Sequence, residues 1–439
     1  MDILIKIAQL FLCFTILVGI HELGHFLMAR AFKIRVEKFY IFFDPWFSLF
    51  KFKRGDTEYG LGWLPLGGYV KIAGMIDESM DKEQMKQPVK PDEFRAKPAW
   101  QRLLVMVAGV MMNVLLAIVI YCAVCYTWGD SYFSNQDAKW GYNFNPTAHE
   151  MGFRDGDRFV SIDGEEIDNV MRVQNDLLIT DGGRLVVERG GEPVTLDIPF
   201  ESLLRMRQEK AYEDLFTLRL PFIVDSVSYT SAVEAGLQSG DEVVAIDDLR
   251  DADYPRYRDY LQKHKNDKVL LTVRRDGALI DSLALPVDAE GRIGVTVTNP
   301  YSLRTQYYTF WESIPAGIHK AGKTISSYWD QLKLIVQPKT KMYEELGGFV
   351  AIGSIFPGSW DWHDFWLKTA FLSIILAVMN LLPIPGLDGG HALFTLWEII
   401  TRRKPSEKFL EVAQYVGLMI ILALLVYANG NDIYRFFIK

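Results

Sequence analysis

The chain has 439 residues, 49% of them apolar, and a formal net charge of −8. That length exceeds one ordinary domain, and that apolar fraction places part of the chain in lipid. The acidic balance excludes nucleic acid as a partner, because binding phosphate takes a basic face.

Four stretches are long enough to cross a hydrocarbon core that needs about 20 apolar residues: roughly 3–29, 102–127, 365–384 and 409–428. The first lacks a strongly basic start and a small-residue cleavage site and runs straight into HELGH, so it reads as a retained span. Basic residues cluster at Arg30, Lys33, Arg35, Lys38, Lys51, Lys53, Arg54, Lys97 and Arg102, and again at Arg402, Arg403, Lys404 and Lys408. By the positive-inside rule both connections face the cytoplasm, which leaves 128–364 and both termini outside; Arg435 and Lys439 weigh the other way.

Between the first two spans, EYGLGWLPLGGYVKIAG (58–74) mixes glycine, proline and β-formers and predicts a short hairpin dipping towards the membrane. Residues 77–98, charged and proline-bearing, read as a solvated loop. Cys13, Cys122 and Cys125 all fall in apolar spans, where Cys122 and Cys125 read as packing residues rather than a redox pair. The long outer segment has no cysteine and hence no disulfide.

That segment contains an internal repeat. AHEMGFRDGDRFVSIDGEEI (148–167) and AVEAGLQSGDEVVAIDDLRD (232–251) share one frame, and LVVERGGEP (185–193) matches VLLTVRRDG (269–277) as a strand ending in a turn. Each copy reads as a helix closed by glycine, then a turn and a strand, and resembles the PDZ domain. The expected organisation is a catalytic membrane part over 1–127, PDZ-like α/β domains over 128–218 and 219–300, an amphipathic helical connector over 301–364, and a second catalytic membrane part over 365–439. Tyr307, Trp311, Ile314, Ile318 and Tyr328 are the connector's candidate interfacial anchors. The fold class is thus a polytopic α-helical membrane protein with about four transmembrane helices, a membrane-associated β-hairpin and two inserted α/β domains.

The chemistry starts at His21-Glu22-Leu23-Gly24-His25, at the end of the first span. On a helix, positions i and i+4 share a face, so both imidazoles can ligate one Zn2+ while Glu22 serves as general base for the attacking water. Two histidines and a glutamate in a membrane segment are expensive, and such groups are functional by default. The bland alternative is a polar cap where the helix leaves the bilayer.

A catalytic zinc commonly takes three protein ligands. NLLPIPGLDGGHALF (380–394) interrupts the third span and offers Asp388, which could equally cap the helix that follows. His391 competes as third ligand. His149, His264, His319 and His363 lie in outer segments and read as ordinary histidines.

Together, HELGH, 58–75, AGVMMN (108–113), the tandem insertion and NLLPIPGLDGG (380–390) resemble the site-2 protease family of intramembrane zinc metalloproteases, of the regulator of sigma-E protease type, over nearly the whole chain. The resemblance implies that Asn380 and the Pro383/Pro385 segment place an unwound substrate. It also implies that the hairpin, at Gly67, Gly68, Tyr69 and Val70, offers that substrate an edge strand. It implies a bacterial inner membrane location with the active site towards the cytoplasm and the PDZ-like domains in the periplasm. The partners it implies are the lipid bilayer and single-span substrates, such as anti-sigma factors and remnant signal peptides, which the PDZ-like domains filter. Two departures are visible: Val110 stands where the family usually has proline, and FFDPWF (42–47) where it has a glycine-rich run. Two rival readings are a non-catalytic membrane-anchored PDZ scaffold, which needs no metal, and a metal transporter, which would carry more intramembrane carboxylates and histidines.

Overall fold

The computed structural model describes residues 2–64, 67–75, 88–170, 173–179, 183–209, 211–212, 214–250 and 253–435. Two compact units result, Met1–Asp130 with Gln306–Lys439, and Ser131–Thr305.

Among the described residues, the helices of 14 or more residues in the first unit are α1 (Asp2–Ala31), α2 (Ala99–Trp128), α3 (Phe310–Val336), α4 (Trp362–Leu381), α5 (Asp388–Thr401) and α6 (Glu407–Ile433). Among them α1, α2, α4 and α6 are long and apolar enough to cross a membrane. Helix α4 stops at Leu381, short of the expected 384, because Pro383 cannot donate to the helix and disfavours helical backbone at Leu382. Apolar faces of α2, α3 and α4 close one core around Tyr121, Ala321 and Ile374. Helix α3 lies so close to α2 that a Cβ on Gly317 would stand 2.5 Å from Cys122 Sγ. Cys122 is thus a contact residue, and all three cysteines are free thiols. Of the connector's expected anchors, Tyr307, Trp311 and Ile318 are exposed, whereas Tyr328 packs against the α2–α4 core. A capping box at Thr309 and Glu312 starts α3.

A four-stranded sheet lies between α1 and α2 in sequence: β1 (Val36–Ile41), β2 (Phe50–Arg54), β3 (Thr57–Leu61) and β4 (Tyr69–Ile72). Their order is β2-β3-β1-β4, with β1 parallel to β3 and antiparallel to β4. The hairpin expected over 58–74 is therefore corrected: its two strands never pair with each other, because β1 stands between them. VEKFYI at β1 supplies the β-formers of a central strand, and its Tyr40 ring fits against Gly60 of β3, where a Cβ would collide with it. The adjacent hairpin is β2–β3, turning at Gly55 with φ +64°. Strand β4 pairs with β1 alone among the described strands, so its other edge is open. Pro65 and Leu66, and 77–87 of the expected solvated loop, lie outside the described residues.

The second unit has two apolar cores, one drawn from Ala138 to Leu218 and one from Phe222 to Val297. Each repeats the series helix, strand, short strand, helix, strand, strand: from Pro146–Glu150 to Glu192–Ile198, and from Thr230–Glu234 to Ala278–Pro286. The repeat extends to single hydrogen bonds. Arg189 binds Asp157 with both Nε and Nη2, at 2.8 and 2.7 Å, and gives Nη2 also to the carbonyl of Gly152. Arg275 binds Asp241 and the carbonyl of Gly236 in the same way.

Candidate metal centre and active site

Helix α1 carries His21 and His25 one turn apart, both buried, and the two Nε2 atoms lie 3.2 Å from each other. Gly24 lets α2 approach them, since a Cβ there would stand 2.5 Å from the Ala108 carbonyl oxygen. Gly109 on α2 faces the imidazoles, and a Cβ there would fall 2.9 Å from His21 Nδ1 and closer still to His25 Nε2. The second nitrogen of each ring is occupied: His25 Nδ1 lies 2.8 Å from the Val105 carbonyl oxygen and His21 Nδ1 lies 3.3 Å from the Asn113 carboxamide.

The third member comes from the other end of the chain. After α4 stops, residues 382–387 form tight turns, with Gly386 at φ +98°, and α5 begins at Asp388. Gly389 and Gly390 pack on the backbone of that turn, where a Cβ on either would collide with carbonyls of residues 381–384. Asp388 does not act as the helix cap: it sits inside the first turn, after Leu387, and aims Oδ2 at His21 Nε2 (3.0 Å) and His25 Nε2 (3.2 Å).

Among the described residues this is the one group of three His, Cys, Asp or Glu side chains close enough to share an ion, and His391 is not in it. Three donors about 2.0 Å from one zinc at tetrahedral angles would stand about 3.3 Å apart, against the 3.0–3.2 Å seen here. The ring hydrogen bonds fit as well. With Nδ1–H given to the Val105 carbonyl, His25 presents a bare Nε2. Asn113 Oδ1 is buried without a partner, and turning its carboxamide end for end would let it accept from His21 Nδ1–H and free that Nε2 too. The donor set therefore fits a zinc ion.

Glu22 and the three donors line a cavity of about 690 Å³, whose other walls include Gly67, Gly68, Tyr69 and Val70 on β4 and its approach, and Asn380 on α4. Gly68 sets the spacing there, since a Cβ would stand 2.8 Å from the Tyr40 carbonyl oxygen and 3.1 Å from Glu22 Cγ. Pro383 and Pro385 are not among the lining residues; Pro385 instead packs its carbonyl against Gly417 of α6. Tyr69 donates its hydroxyl to Asp44 at 2.9 Å, so FFDPWF supplies part of the wall where the resemblance has glycines. Sequence reasoning missed Asn113, Gly109 and Gln414. The available signal was a polar residue inside an apolar span for Asn113 and Gln414, and a helix-interior glycine for Gly109.

Four apolar helices of membrane-crossing length, with two histidines and two carboxylates converging on a cavity, define a membrane protein with the donor chemistry of a metal hydrolase. The sequence model of peptidase family M50 matches residues 9–424, and the chain belongs to that family. Among similar proteins, the regulator of sigma E protease of Haemophilus influenzae is 27% identical, with 99% of this chain and all of that one covered. Two others, from Clostridium perfringens (28% identical, 96% of each chain covered) and Vibrio cholerae (29%, 99% of each), bear names that class them provisionally as zinc metalloproteases.

Proposed function

We propose that this peptidase holds zinc on His21, His25 and Asp388 and cuts membrane-spanning segments of single-span proteins, with Glu22 as general base. The observation that carries the reading is the convergence of three bare donor atoms, 3.0–3.2 Å apart, beside Glu22 in one cavity. Zinc, when bound, supplies a Lewis acid that polarises the scissile carbonyl and acidifies water. Glu22 takes the proton from the attacking water and passes it to the departing amide nitrogen. Val105 and Asn113 hold the two imidazoles in the tautomer that leaves Nε2 free.

A membrane helix hides its carbonyls in i→i−4 bonds, so it must unwind before it can be cut. The open edge of β4, at Gly68–Val70, is suited to take the unwound segment as an added strand, with Asn380 as a further contact. This replaces the hairpin as the substrate's partner, and the Pro383/Pro385 segment acts by shaping the turn before Asp388. The basic connections support a metal centre on the cytoplasmic side of the membrane and the repeats of Ser131–Thr305 outside, and the bacterial relatives support the inner membrane as that membrane. Those repeats are read as tandem PDZ-like domains that exclude bulky outer domains from the membrane part. A relative named for regulating sigma E supports membrane-anchored anti-sigma factors as one substrate class; remnant signal peptides, which are single membrane-spanning segments, are proposed as another.

The test uses purified full-length protein with a model single-span substrate in vesicles. Wild type should cleave it and Glu22→Gln should retain zinc and cleave nothing. Full activity in Glu22→Gln would end this mechanism. Replacing 131–305 by a flexible linker should make an untrimmed substrate cleavable while a trimmed one is cut as before; loss of both, with zinc retained, would mean the repeats recruit substrate.

A further inference from the structure

We infer that Gln414 of α6 is a substrate-binding residue, whose carboxamide hydrogen-bonds the backbone edge of the extended peptide that β4 does not cover. The inference rests on the reading of the 690 Å³ cavity as the peptide site. Gln414 is 7% exposed, yet its side chain makes no hydrogen bond to any described residue. It lines that cavity together with Asp388 and Asn380, and also a smaller one of about 140 Å³ that shares Met75 and His391. Its place on the helix is set by packing. Gly417, three residues on and therefore on the same face, sits against Pro385, and a Cβ on Gly386 would stand 3.5 Å from Leu418 N. This stretch of α6 thus rests on the turn that delivers Asp388.

An extended peptide has two edges of N–H and C=O groups. Laid along β4, it satisfies one of them by strand pairing. The other edge lies in a cavity at membrane depth, where an unpaired backbone group has no bulk water to turn to. A carboxamide carries one acceptor and a pair of donor hydrogens, so it can complete a peptide group as another peptide would. Asn380 and Gln414 are the two carboxamides in the lining. The buried atoms without a partner among the described residues do not include the Gln414 carboxamide, so its polar end reaches the open space of the cavity, where a peptide group can meet it.

The experiment compares wild type with Gln414→Met, similar in length and without hydrogen-bonding groups, in the full chain. Zinc content and Tm should match or exceed wild type, and kcat/KM for the single-span substrate should fall about tenfold. To separate binding from a structural role, a series of semisynthetic substrates carries one backbone ester in place of an amide at successive positions flanking the cut. At one position the wild type should lose about tenfold on the ester while Gln414→Met loses nothing further. Equal losses by both enzymes at every position, or a kcat/KM within twofold of wild type, would overturn the inference. If instead Glu22→Gln cleaves like wild type, the mechanism itself fails and this reading falls with it.

Discussion

Aspartates paired with basic side chains occur in both units, and their surroundings differ in kind. In the repeats, Asp157 and Asp241 are almost fully buried, and each is gripped by both arms of an arginine and by a backbone N–H, from Arg154 and Gln238 respectively. Their charge is neutralised within the fold and their lone pairs are occupied, which leaves them no chemistry. Among the described residues Asp388 pairs with no such cation: its ion-pair partners are two imidazoles, whose other nitrogens are already held by Val105 and Asn113. An external cation would complete such an arrangement of one carboxylate and two ring nitrogens. An aspartate clamped by its own arginine is architecture, whereas Asp388, which meets two imidazoles in place of that cation, is the candidate for holding an ion.

The comparison can be broken at its structural end first. Arg275→Ala strands Asp241 without its cation and should destabilise the second repeat by about 3 kcal/mol, read as a lower midpoint in denaturant. Zinc content and the cleavage of a trimmed substrate should stay at wild-type levels. A loss of zinc would mean that the two kinds of aspartate are not independent. At the functional end, Asn113→Ala leaves the three donors in place but frees the His21 ring. Zinc affinity, measured by chelator competition, should fall about 10- to 100-fold, with the fold intact by circular dichroism. An unchanged affinity would show that Asn113 does not orient His21.

Local patterns were legible in the sequence, and pairings across the chain were less so. HELGH could be read because helical geometry alone brings positions 21 and 25 to one face. Asp388 stood out as a charge within an apolar, proline- and glycine-broken span, yet a cap and a ligand look alike there until the carboxylate's direction is known. The repeat frame could be read because the Gly-Asp turn and the strand after it recur in both copies, although the clamp of Asp157 by Arg189 and of Asp241 by Arg275 could not, since the two pairs are spaced 32 and 34 residues apart. The hairpin over 58–74 failed for a physical reason. Neighbouring strands in sequence pair only when no third strand offers a better partner, and β1 does so on both of its edges. Pro383 follows the end of α4 and Pro385 packs on α6, and neither placement could be read from their position beside Asp388 in the sequence. Gln414 needed the contact of α6 with the Pro385–Gly386 turn, which no local pattern encodes.

The account's central claim is that His21, His25 and Asp388 together hold one ion. The most direct measurement is zinc per chain by elemental analysis of purified full-length protein, for wild type and for Asp388→Ala, with folding checked by circular dichroism. The account predicts about one zinc per wild-type chain and next to none in Asp388→Ala. A folded Asp388→Ala protein that still carries one zinc per chain would contradict it.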